Sequence, residues 1–277
     1  MKKIVFLIFL TLTILLSFPL TDRGQEQEQE TGETTEDVEE VIEYYNSGIK
    51  KIAGQMKNGR KHGVWSEWYE GGEKKSEQEY NEGEKNGIWT EWYENGNMNS
   101  KIGYQDDRYN GSWEEWYFSG QKKFHKHYKD GTPQGRWTEW DEDGNTMLIT
   151  DFFTDGEKKS ESEFQYTREG PLKTYQEWFE NGTKRLEQQM KNNIWHGYYK
   201  EWFDNGNLSI ETQYKEGKED GLHRDYYRNG NIRMEMDMKE GKKDGRETFW
   251  DDQGVKRWIK VYVDGQFVRA DYVYEQQ

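Results

Sequence analysis

Of the residue types that carry chemistry, this chain has many acids and aromatic rings, five histidines and no cysteine. Without cysteine there is no disulfide, no thiolate metal site and no sulfur nucleophile. The acids recur in one column, Glu67, Glu91, Glu115, Glu139, Glu177, Glu201 and Asp225. Such a column could hold cations, bind carbohydrate, or set up acid–base pairs. Glycoside hydrolysis needs two carboxyls about 5 to 9.5 Å apart across a cleft, and a calcium ion needs its oxygens within about 2.6 Å. Acids repeated every second strand stand about 10 Å apart, too far to share one ion. A solvated face in which acids pair with lysines is the better reading.

The histidines add little chemistry. His62 and His196 fall where other repeats place Asn86, Asn110, Asp220 and Asp244, which is a turn position. His125 and His127 share a strand face and could supply two metal ligands, with no third indicated. No phosphate-binding loop, nucleophile elbow, zinc-protease helix or dinucleotide fingerprint is present. The reading is a non-enzymatic protein with no cofactor, no metal and no catalytic residue.

Aromatic residues make up 16% of the chain, half of its hydrophobic content. They too form columns: Trp65, Trp89, Trp113, Trp137, Tyr175 and Tyr199 in one, and Trp68, Trp92, Trp116, Trp140, Trp178, Trp202 and Trp250 in another. Most such rings must be the core of a thin sheet. A sharper reading leaves one stripe exposed to grip a protein partner, since aromatics dominate binding hot spots. The candidates are Trp89, Trp113 and Trp137 with Tyr93 and Tyr117.

The elements that position these columns follow from a 24-residue repeat. GVWSEWYEGGEKKSEQEYNEGEKN from Gly63 is followed by similar units from Gly87, Gly111 and Gly135, and later from Lys173, Gly197, Gly221 and Gly245. With a partial unit from Glu39, about nine result. Each unit reads as two short strands: one carrying G-x-W-x-E-W-Y, a turn such as Glu94-Asn95-Gly96-Asn97, then a polar strand ending near Tyr, then a turn such as Asp130-Gly131. Frequent glycine and no lasting 3.6 periodicity exclude helices from this region. The fold class is all-β, an elongated single-layer antiparallel β-hairpin repeat of about 18 strands, on the order of 85 Å long, preceded by a hydrophobic signal helix and a disordered linker. The third and fifth residues of a unit share one face and the sixth points to the other, so rings stacked between neighbouring units should line both faces.

The register breaks once, because 38 residues separate Gly135 from Lys173. One parse makes 159–172 an irregular insert; another aligns Asp151–Phe164 with Glu67–Tyr80 and makes the break an extra half unit. Either predicts a kink or a subdomain boundary there. The expected domains are a signal peptide or anchor over 1–21, an acidic linker over 22–38, repeats over 39–158, the insert at 159–172, and repeats over 173–277 ending in an aliphatic cap. Lys2 and Lys3 before the apolar run from Ile4 have the build of an export signal. Localisation is expected to be the periplasm, cell surface or medium, or the membrane through an uncleaved N-terminal segment. The net charge of -15, with ten acids and one arginine in residues 22–43, argues against nucleic acid and anionic lipid headgroups as partners.

The unit G-x-W-x-E-W-Y-x-x-G-(N/E)-x-K, with its Tyr and its D-G or E-G turn, resembles the MORN-repeat variant family of bacteria over about Glu39 to Arg269. The resemblance implies a meander of antiparallel hairpins without chemistry of its own. Some family members act as antitoxin components of toxin–antitoxin systems, which implies an antitoxin-like inhibitor as the alternative to an exported protein-binding scaffold. A cell-surface glycan-binding module is a third reading.

Overall fold

The computed structural model describes residues 37–272. The expected signal segment and residues 22–36 of the expected linker lie outside that range. Within it the chain forms 23 strands and no helix. The residues group into two compact units, one holding the described residues up to Gly111 with Phe118–Gly120, the other holding Ser112–Tyr117 and everything from Gln121 onward.

In the first unit Val38–Tyr44 pairs with Lys50–Lys57, which pairs in turn with Arg60–Trp68, Lys74–Asn81, Gly87–Trp92 and Met98–Gln105, each antiparallel to the last. The second unit continues the same way from Lys122–Lys129 through Arg136–Trp140 to Gln266–Tyr272. The all-β hairpin repeat read from the sequence is thus the observed architecture. The first strand starts at Val38, inside the expected linker.

Two turns alternate. After each Trp-bearing strand comes a three-residue loop: Tyr69 N–H donates to Glu73 O at 2.9 Å, Gly72 N–H donates to Tyr69 O at 3.0 Å, and Gly72 takes φ of 100°. This is a type I turn closed by a left-handed residue, for which glycine has no steric penalty. The partner strand then bulges by one residue, Lys75, because Glu67 faces Ser76 while Trp68 faces Lys74. The other turn has two residues, as at Glu82-Gly83 with φ of 50° and 96°, the type I′ geometry that matches strand twist.

The expected irregular insert is corrected by the structure. Residues 159–172 lie in two regular strands, Lys158–Thr167 and Gly170–Trp178, paired with each other. Phe153 N–H donates to Glu157 O and Gly156 N–H to Phe153 O, the loop geometry of Tyr69–Glu73. Asp151–Phe164 therefore stands in the register of Glu67–Tyr80, and Thr146–Phe152 serves as the second strand of one unit and the first strand of a half unit. Because pairing continues through this stretch, the division between compact units falls near Gly111–Gln121 and not at 159–172.

No large side chain among the described residues is fully buried. On one face the third-position rings lie between the rings of neighbouring strands: Trp89 is 5.1 Å from both Tyr80 and Tyr104, and Trp137 is 5.0 Å from Tyr128 and 4.5 Å from Phe152. Each such contact is worth about 0.5–1.5 kcal/mol beyond area burial. Small hydroxyl residues are buried beside the acids: Ser76 faces Glu67 and Glu91, and Ser160 faces Asp151 and Glu177. Behind each repeat's own third-position residue the expected ring-on-ring stacking is replaced by lysines. Lys74 lies 5.8 Å from the Trp92 ring, Lys158 5.5 Å from Trp178 and Lys184 5.6 Å from Trp202. Successive sixth-position tryptophans stand two strands, about 10 Å, apart, and an alkylammonium covers a ring that no other ring reaches.

Candidate functional site

The bulge organises the acidic column. The residue it extrudes follows the column acid by eight positions, and a bulge re-aims its side chain out of the regular alternation. Those residues are Lys51, Lys75, Lys123, Lys159, Arg185, Arg233 and Arg257 in seven hairpins, and Asn99, Met147 and Ser209 in three. The cation turns back to its acid: Lys75 Nζ is 3.4 Å from Glu67, Lys123 Nζ 3.5 Å from Glu115, Arg185 3.6 Å from Glu177 and Arg233 2.8 Å from Asp225. It also covers the ring that follows the strand: Lys51 lies 5.9 Å from Tyr45, Lys123 5.9 Å from Tyr117, Lys159 5.9 Å from Phe153 and Arg185 5.9 Å from Phe179. Glu139, whose bulge residue is Met147, takes Lys126 at 3.0 Å instead. Five of the seven column acids thus sit in ion pairs with at least one exposed partner, each worth a few tenths of a kcal/mol to about 1.

Units are also tied to one another at the turns. Tyr69 Oη donates to Trp92 O at 2.7 Å, and Tyr45, Tyr117 and Tyr227 repeat the bond to Trp68, Trp140 and Trp250. Turn asparagines reach the next turn: Asn95 and Asn97 both donate to Phe118 O, and Asn229 and Asn231 both donate to Asp252 O. Sequence reasoning missed both ladders, although their signal was there in the recurring Tyr and N-G-N. At Phe153, Phe179 and Phe203 the tyrosine position has no hydroxyl to donate.

The five aromatic candidates are engaged in this packing. Trp89 donates its indole N–H to Glu79 O at 2.8 Å, and Lys85 lies 4.4 Å above its ring. Trp137 donates to His127 O at 3.0 Å. Trp113 packs 5.5 Å from Phe124, Tyr93 packs 5.3 Å from Phe118, and Tyr117 bonds Trp140 O at 2.9 Å. All five are half-buried.

Toward the C-terminus the ring column gives way to charge, with His223 and Glu247 in the third position. His223 Nε2 is 3.2 Å from Asp225 and Nδ1 is 3.6 Å from Glu219. The bond to Asp225 raises the imidazole above its usual range against the opposing effect of burial, and Glu219 adds to the rise. Burial and the 2.5 Å bond to Glu177 push Tyr175 up to about 12, so these phenols stay neutral donors. Among the described residues no group of three or more His, Asp or Glu side chains could hold a metal ion. The chemistry this arrangement offers is recognition by rings, carboxylates and cations.

A model of the MORN repeat variant family matches residues 61–82, 85–106, 195–216 and 219–240. No curated protein matches. The solved structure described as "Crystal Structure of TcdB2-TccC3" is similar over 83% of this chain and 16% of that one, at 11% identity and a TM-score of 0.20. This chain therefore spans only a small part of that structure's length.

Proposed function

This chain belongs to the MORN repeat variant family, and on that premise we propose that it is a non-enzymatic repeat scaffold that binds a protein partner, exported or held at a membrane by its first 21 residues. One observation carries the reading. Within each unit the same contacts recur from hairpin to hairpin, so groups able to do acid–base chemistry are used as ion pairs and stacking partners. A surface that repeats from hairpin to hairpin is the form in which repeat proteins bind. The apolar N-terminal run with Lys2 and Lys3 supports export.

Affinity capture with the tagged full-length chain from its native cells, followed by binding measurements on the purified pair, tests the scaffold. One or more proteins should bind directly and stoichiometrically; capture of nothing above the untagged control sinks it. Fractionation tests location separately, since recovery in the soluble cytoplasm overturns export.

A further inference from the structure

Ser209 occupies a place that seven other hairpins fill with a lysine or arginine. It is the bulge residue between the strands Ile194–Trp202 and Leu208–Lys215, where Glu201 faces Ile210 while Trp202 faces Leu208. In the neighbouring hairpin Arg185 fills the equivalent place, over Phe179 and against Glu177. At Ser209 the long side chain is missing, and a cleft of about 370 Å³ opens there. Phe179, Leu186, Glu201, Phe203 and Ser209 line it. Tyr199 Oη donates to Glu201.

The other charges around the cleft are matched. Arg185 pairs with Glu177, and Arg228, which lies 5.9 Å from the Phe203 ring, pairs with Asp204. Three carboxylates against two guanidiniums line the space, and the unmatched charge is that of Glu201. A cationic head can take its carboxylate, an alkyl stem can lie on Leu186 and Phe203, and the ring faces favour a cation near them.

The geometry points to this cleft as a socket for a lysine or arginine side chain of a partner protein, which supplies in trans the cation that Lys75, Lys123 and Arg185 supply in cis. A guanidinium matches a carboxylate in two bonds and stacks on rings, so arginine is the tighter occupant. The inference rests on the protein-binding reading only for the identity of the carrier; the socket itself is tested with a free peptide.

The experiment titrates the full chain at low salt with acetyl-Gly-Arg-Gly-amide and with its citrulline analogue, following the backbone amide resonance of Phe203. The arginine peptide should shift it saturably, and the citrulline peptide should bind at least tenfold more weakly. Ser209→Lys places the chain's own cation in the socket as at Lys123, and should weaken peptide binding tenfold or more with an unchanged or higher melting temperature. Glu201→Gln should weaken it similarly, and near-UV circular dichroism confirms that both variants are folded. The socket is refuted by an absence of saturable binding, by equal affinity for the citrulline peptide or for methyl glucoside, or by binding that survives Ser209→Lys. Partner capture that continues in the Ser209→Lys chain while peptide binding is also unchanged rejects the socket and leaves the scaffold standing.

Discussion

Replacing Tyr69 by Phe removes one oxygen from a ladder and nothing else. The hydroxyl donates to Trp92 O at 2.7 Å, 23 residues further along the chain, so it couples one repeat to the next without contributing to either hairpin. A neutral hydrogen bond of this kind is worth about 0.5–1.5 kcal/mol net. The site is half-buried, and water replaces part of the loss, which puts the expected cost near 1 kcal/mol. The reciprocal change is Phe179→Tyr, which places a hydroxyl where the same 23-residue spacing leads to Trp202, and it should return about 0.5–1 kcal/mol. Urea titration reads both: with a slope of about 2.5 kcal/mol per M, the midpoints should move by ~0.4 M down and ~0.2–0.4 M up. In a nearest-neighbour array the effect is local, so faster amide exchange should appear first around Trp92. Two variants that both leave the midpoint within experimental error would refute the idea that the ladder couples repeats. So would a loss of stability in Phe179→Tyr, because the vacant position would then not be equivalent to Tyr69.

Other consequences are as direct. Asn193 holds φ of 62° at the second position of a type I′ turn, where glycine is preferred, so Asn193→Gly should raise stability by about 0.5 kcal/mol, read as a higher melting temperature. A Cβ on Gly54 would meet Trp65 ring carbon at 2.3 Å; Gly54→Ala should displace the indole, cost about 1–3 kcal/mol, and change the near-UV circular dichroism. The His223 pKa is raised from its ordinary 6.5, so the stability it contributes is fully present below about pH 6.5 and is lost as pH rises through the elevated folded value. His223→Gln should flatten the stability–pH curve in that window, and an unchanged curve would mean the imidazole is not charged in the fold.

Periodicity made the fold legible. Columns of Trp, Tyr and Gly at one spacing admit little besides short antiparallel hairpins, and the alternation of faces followed from counting residues between Trp65 and Trp68. The break at Gly135–Lys173 was legible as arithmetic but not as geometry: only the loop bonds of Phe153 and Gly156 distinguish an extra half unit from an insert. Face chemistry was harder. Ring columns suggested stacking on both sides, yet a tryptophan whose neighbours stand two strands away is covered by lysine, which a count of hydrophobic residues overlooks. The pairing of the acids with lysines was expected, but which residue supplies the cation was not legible, for another reason. An unpaired residue in one strand lets a side chain eight positions away turn back to its acid, and no alternation rule places it there. Ser209 is unremarkable in composition and becomes a feature only when set against the cations that hold its place elsewhere.

The doubled strand Thr146–Phe152 bears on how such a chain changes size. Because one strand takes both roles, fourteen residues can be spliced in or out with pairing unbroken, but the downstream columns change sides: Arg136, Asp151, Ser160 and Glu177 share one face by register, while Trp137 and Phe152 share the other. Excising 153–166 brings Phe152 next to Thr167 and returns the spacing from Gly135 to Lys173 to 24 residues, as between Gly63 and Gly87. The array behaves like a text in which a whole word keeps the columns on their side and a half word carries them to the other. A single added strand therefore decides which face presents the chemistry of every repeat after it.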